Sequence, residues 1–124
     1  MFRARLALIA ALLLSSPVLF ALADVAGNWR VEFVIPKGEM GVTMTINQRG
    51  EKLTGQVVNE DGEFPLTGSV SGDTVTVTWT VPDDGKPLDI TMVGTVEGEY
   101  ITGTASLGNV GEGDLSARRV GRNP

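Results

Sequence analysis

The chain has 124 residues, with 10 Lys+Arg against 15 Asp+Glu and neither Cys nor His. That length holds one domain, and 42% hydrophobic residues is enough for one small core and too many for a disordered chain. The missing Cys and His exclude a disulfide framework, thiol chemistry, a Ser-His-Asp triad and a zinc site with the usual ligands.

The chain opens with a basic start, Met1-Phe2-Arg3-Ala4-Arg5, followed by an apolar run from Leu6 to Leu14. Ser15-Ser16-Pro17 breaks that run, and Ala21-Leu22-Ala23 offers a small-x-small cleavage site before Asp24. Residues 1–23 therefore read as a secretory signal peptide and residues 24–124 as a single domain. As a membrane anchor the apolar stretch is interrupted and short against the roughly 20 residues of a span. With no Cys near the cleavage site to take a lipid, the expectation is a soluble exported product, periplasmic or extracellular, with no membrane insertion after cleavage. Without residues 1–23 the chain keeps 8 basic and 15 acidic residues, a net of −7. A nucleic-acid partner needs clustered Lys and Arg, and the only local basic run is Arg118-Arg119 with Arg122 beyond it.

After Asp24 the pattern is strict alternation with no helical period. Trp29, Val31, Phe33 and Ile35 alternate with Arg30, Glu32 and Val34; Val42, Met44 and Ile46 with Thr43, Thr45 and Asn47. Thr74 to Val81 alternates over eight residues, and Leu88, Ile90 and Met92 alternate with Asp89 and Thr91. Turn signals near 36–41, 49–52, 59–63, 71–73, 82–87, 97–99 and 108–112 divide the chain into strands near 28–35, 41–48, 52–58, 63–70, 74–81, 87–96, 99–107 and 113–120. No connection is long enough for a crossover helix, so neighbouring strands are antiparallel. The fold class is all-β: an eight-stranded antiparallel up-and-down barrel. The predicted interior is Trp29, Val31, Phe33, Val42, Met44, Ile46, Leu53, Val57, Phe64, Leu66, Val70, Val75, Val77, Trp79, Ile90, Met92, Val96, Ile101 and Leu115.

Four segments share the pattern apolar-x-Gly-x-apolar, with Gly55, Gly68, Gly94 and Gly103 at their centres. Each Gly then lies on the inner face, either to let a coiled strand bend or to leave space for a ligand; bending is the favoured reading. The second, fourth and sixth connections look tight and the others longer, so the barrel is expected to have one tightly turned end and one end with longer loops.

Gly27-Asn28-Trp29 at the start of the first strand and Arg118-Arg119 near the end of the last, in an eight-stranded meander, resemble the calycins, the group of lipocalins and avidins. The resemblance implies a barrel closed at the Trp end, with a basic side chain packed across the indole. By parity that side chain is Arg119 rather than Arg118. Gly27-Asn28-Trp29, Leu53-Thr54-Gly55, Leu66-Thr67-Gly68 and Thr76-Val77-Thr78-Trp79 are most similar to avidin strand signatures, and Asp114 stands roughly where avidins keep a ligand-supporting carboxylate. Val57 replaces the Tyr that follows Leu-Thr-Gly there, and Trp79 is all that remains of the biotin-walling Trp set, so the family's ligand residues are not carried over. The chain is also similar to small exported barrel domains of unassigned role.

The functional expectation is a non-enzymatic binding module for a small apolar or amphipathic ligand entering at the long-loop end. The candidate lining is Phe33, Ile35, Met44, Phe64, Leu66, Trp79, Val81, Leu88, Leu107 and Leu115; Trp29 and Arg119 are structural residues of the closed end. An eight-stranded barrel either just fills with side chains or leaves room for one small ligand. The alternative is therefore a filled barrel that works through its surface with a protein or envelope partner, and a cavity well below about 300 Å³ favours it. A second alternative is a cyclase or isomerase that folds an apolar substrate inside the barrel by shape. No paired carboxylates are expected inside, since parity turns Glu32, Asp89 and Glu97 outwards, and no catalytic residue is assigned. An outer-membrane barrel would carry the apolar face outside, and five aromatics after Asp24 are too few for its girdles. Asn59-Glu60-Asp61-Gly62-Glu63 spaces oxygen ligands as a calcium loop might, but lacks the twelve-residue pattern; no metal and no cofactor is assigned.

Overall fold

The computed structural model describes residues 21–122. All but the last three residues of the signal-peptide reading, 1–23, lie outside the described residues. The rest is a meander of eight strands: β1 (Gly27–Ile35), β2 (Gly38–Arg49), β3 (Lys52–Asn59), β4 (Gly62–Ser71), β5 (Thr74–Asp83), β6 (Lys86–Glu97), β7 (Tyr100–Leu107) and β8 (Glu112–Gly121). Each strand pairs antiparallel with the next, and β8 pairs back onto β1. Closure leaves no edge strand, so the ladder satisfies most backbone polar groups of the wall internally, with one-sided pairing confined to the strand ends at the open mouth.

Alternation decides what is inside. Val75, Val77 and Trp79 are buried while Thr74 and Thr80 are exposed. The whole predicted interior is buried except Phe64. Phe64 is half-buried because pairing of β4 with β5 stops at Leu66↔Trp79. Pro65, next to Phe64, has no N–H for that ladder, and Phe64 is left at the rim with a strand on one side only. Ala105 and Ala117, which parity turns inwards, are buried too, and Val25 joins the core without having been expected there. With apolar residues inside and hydroxyl or charged residues outside, the barrel inverts the pattern of a lipid-facing one.

The expected contrast in loop length is not present. Every connection from β1 to β7 is two residues long, and the last, 108–111, carries a 3-10 turn at Gly108–Val110. The hairpins that were to hold long loops continue as paired strand instead, to Ile35↔Gly38 and Asp83↔Lys86. Pro and Gly near these turns suggested loops. Yet Pro82 and Pro87 face each other at one row of the ladder, which tolerates two residues lacking an N–H.

The mid-strand glycines answer the question of bending or space. A Cβ on Gly55 would stand 1.9 Å from the Thr45 carbonyl oxygen, one on Gly68 2.1 Å from that of Thr76, and one on Gly103 2.0 Å from that of Val93. Neighbouring backbone already occupies the place of these three side chains, and a Cβ on Gly94 would stand 2.6 Å from Ile101 Cγ2. The glycines let tightly coiled strands approach and open no ligand space.

Candidate functional site

At the closed end, Trp29 is fully buried, with the Arg119 guanidinium carbon 4.6 Å from its ring centroid. Arg119 is 7% exposed, and its charge is met on every side. Its Nε–H donates to Glu99 Oε2 at 2.7 Å, and its terminal nitrogens donate to the carbonyls of Ala26 and Asp24. Those carbonyls belong to a strap, residues 24–26, that crosses the barrel bottom. Val25 plugs it, and its carbonyl accepts from Trp29 Nε1 at 3.0 Å. Gln48 pins the strap from the other side, accepting from the Val25 N–H at 2.8 Å; its second bond, to the Ala23 carbonyl at 3.0 Å, goes to a residue that the signal-peptide reading removes. This end is a built-in floor, as the resemblance implied for Trp29 and Arg119.

Glu99 also pairs with Arg122, which reaches Asp24 at 3.2 Å. Partial burial works to raise the Glu99 pKa from its ordinary 4.5, but the hydrogen bond and charge of Arg119, with those of Arg122, outweigh it and hold it lower. A lowered folded-state pKa stabilises the fold above the unfolded value, and the gain disappears as pH falls through the folded value. The expected result is a melting temperature that drops below about pH 4.5 more steeply in wild type than in Glu99→Gln, measured by circular dichroism.

The open end holds an apolar cup of about 150 Å³. Six of the ten expected lining residues meet there: Phe33, Ile35, Trp79, Val81, Leu88 and Leu107. The Phe33 and Trp79 rings, 6.1 Å apart and tilted by 35°, form one wall. Met44, Phe64, Leu66 and Leu115 are not in the lining. Met44 is opposite Trp29 and fills the closed half; Leu66 and Leu115 are buried in the wall, each opposite a mid-strand glycine on one neighbour. Val42 and Ile90, assigned to the core, line the cup as well, as do Met40 and Val110. Met40 shares the parity of Val42 and Met44, a signal masked by its place in an expected turn. The rim is polar, with Lys37, Asn59 and Asp83.

Trp79, one residue of the cup wall, carries an unusual buried group. Its side chain is 3% exposed, and Nε1 is the one buried side-chain polar atom without a protein acceptor among the described residues. An unmet buried donor costs about 1–3 kcal/mol. Such a group in a native site calls for an explanation.

Asp114, by resemblance a candidate ligand support, lies on the outer face opposite Val34 and Thr104, because it is one residue out of phase with inward-facing Leu115. The acidic residues of the open end do not form a metal cage: among the described residues no three His, Cys, Asp or Glu side chains come together. The Asn59 side chain instead accepts from the Asp61 N–H at 2.7 Å, closing its own turn. No protein-family model matches the chain, and no curated protein matches it.

Proposed function

We propose that this chain is an exported, non-enzymatic, calycin-like binding module. Its open-end cup takes one small apolar group carrying a hydrogen-bond acceptor. The observation that carries the reading is the apolar cup walled by the Phe33 and Trp79 rings, the second of which has a buried indole N–H met by no protein acceptor among the described residues. The cup volume limits the ligand. About 150 Å³ is half the lower bound of roughly 300 Å³ for ordinary ligand pockets, and is the size of a cavity that holds one benzene. A single ring with a carbonyl fits; biotin or a fatty acid does not.

The test is a titration with cyclohexanone followed by 15N-resolved NMR of the two indole N–H groups, assigned by loss of one peak in Trp79→Phe. The Trp79 peak moves with saturation and the Trp29 peak stays. Methylcyclohexane, with the ring but no acceptor, binds more weakly by about the worth of one hydrogen bond, ~1 kcal/mol or fivefold. If neither compound moves the Trp79 peak or raises the melting temperature, the cup is core and the reading fails. The filled barrel acting through its surface would then stand. A specific observation favours that second reading: the closed half is packed solid around Trp29, Met44 and Ile46, all fully buried.

A further inference from the structure

We propose a second site on the outer wall, independent of the cup: Arg30 and Arg118 form a receptor for a tetrahedral oxyanion, a phosphate or sulfate ester, whose ring lies against Tyr100. The register sets Arg30 directly opposite Arg118 across β1 and β8, and Tyr100 directly opposite Arg118 across β7 and β8. All three side chains are exposed, Tyr100 by 57%. Like charges directly opposite on neighbouring strands repel and destabilise the sheet. Among the described residues no ion pair offsets the repulsion. Ion pairs among the described residues involve Arg119 and Arg122, and none involves Arg30 or Arg118. The nearest carboxylates by register are Glu32, which faces Ser116 and Gly41, and Glu97, which faces Tyr100 from β6; neither makes an ion pair among the described residues.

The two adjacent arginines contrast with one long outer row that carries no charge. The row Thr54, Thr67, Thr78, Thr91 and Ser106 runs across β3 to β7 without a charge, and the chain as a whole is acidic. The same residues line a hollow of about 320 Å³ with Glu32 and Ser116, twice the volume of the cup and within the ordinary range for ligand sites. Two neighbouring guanidinium forks offer more donors than one planar carboxylate can fill. A carboxylate has two oxygens in one plane and satisfies one fork, whereas a phosphate or sulfate ester has three free oxygens arranged to accept from both. Tyr100 then offers its ring to the group that carries the ester.

The probes are phenyl phosphate, phenyl sulfate and benzoate, titrated at low salt against the full chain by calorimetry. Phenyl phosphate or phenyl sulfate binds, and benzoate binds at least about fivefold more weakly, the worth of one hydrogen bond. The two sources separate by pH: phosphate-ester affinity rises between pH 5 and 7 as the second proton leaves near pH 6, and sulfate-ester affinity stays level. Arg30→Gln and Arg118→Gln each cost about tenfold in affinity, one charge-assisted hydrogen bond. Glu32→Gln tightens binding by removing an opposing charge. Neither Arg variant lowers the melting temperature, since each relieves a repulsion; this separates a site from a structural role. Three results overturn the proposal: benzoate binding as tightly as the esters, ester binding unchanged in both Arg variants, or no binding of either ester. None of them bears on the cup.

Discussion

Trp29→Ala is expected to lower the unfolding free energy by about 3–5 kcal/mol, the usual loss for a large buried aromatic. Denaturant titration should show the midpoint falling with little change in slope. Three effects add at this position. The indole is fully buried against Met44, so its removal leaves a cavity in the closed half. Its Nε1–H is the donor that holds the Val25 carbonyl, so the strap loses a tie to the barrel floor. And Arg119, stacked over the ring, loses its apolar partner while keeping its carbonyls and Glu99. Trp29→Phe keeps the ring and part of the volume, and should cost less than half as much. A loss below about 1 kcal/mol for Trp29→Ala would mean that the floor carries little of the stability, contrary to the packing described. Combining Trp29→Ala with Arg119→Met in a double-mutant cycle isolates the ring–cation coupling, expected at about 0.5–2 kcal/mol.

The barrel was legible in the sequence because its two determinants are local. Period-2 alternation assigns faces, and turn residues every ten or so positions leave no room for anything but hairpins. Val75-Thr76-Val77-Thr78-Trp79 needs no knowledge of its neighbours to be read as half-buried. Closure was also legible, since Trp29 and Arg119 share the inward parity at the two ends of the chain. What escaped was anything set by where pairing stops. Phe64 has the right parity but sits beyond the last β4–β5 pair, and no alternation pattern reports that. Met40 joins the cup because β2 starts at Gly38, before its expected start, and Val110 joins it from the 3-10 turn at Gly108–Val110, whose conformation alternation does not report. Depth along the barrel was the weaker inference throughout. Met44 was expected at the mouth, yet the register seats it opposite Trp29, because β1 and β2 pair as far as Gly27↔Ile46. The size of the cup was beyond reach for the same reason: it depends on how side chains from six strands interlock. The Arg30–Arg118 pair is likewise invisible in one strand's pattern, since it exists only through the register that joins the first strand to the last.

Gly55→Ala is expected to be more damaging than its single methyl suggests, and to reach about 3 kcal/mol or more through overpacking and backbone strain together. The backbone at Gly55 has φ near +150°, a conformation that an L side chain rarely adopts. The added Cβ would also stand 1.9 Å from the Thr45 oxygen and 2.9 Å from its carbonyl carbon, in the adjoining strand rather than at the tip of a flexible side chain. Relief requires β2 and β3 to move apart at the Ile46↔Gly55 row. In a closed barrel that separation cannot be absorbed at an edge and must pass to the neighbouring pairs. Gly72→Ala serves as the control. Gly72 is also at positive φ, +59°, but in a turn where an added Cβ meets nothing within 4 Å. Its cost is the conformational one alone, about 1–2 kcal/mol. Equal losses for the two variants would show that close approach of the strands contributes nothing at Gly55; a loss at Gly55 greater by about 1 kcal/mol or more measures how tightly the coiled wall is drawn together.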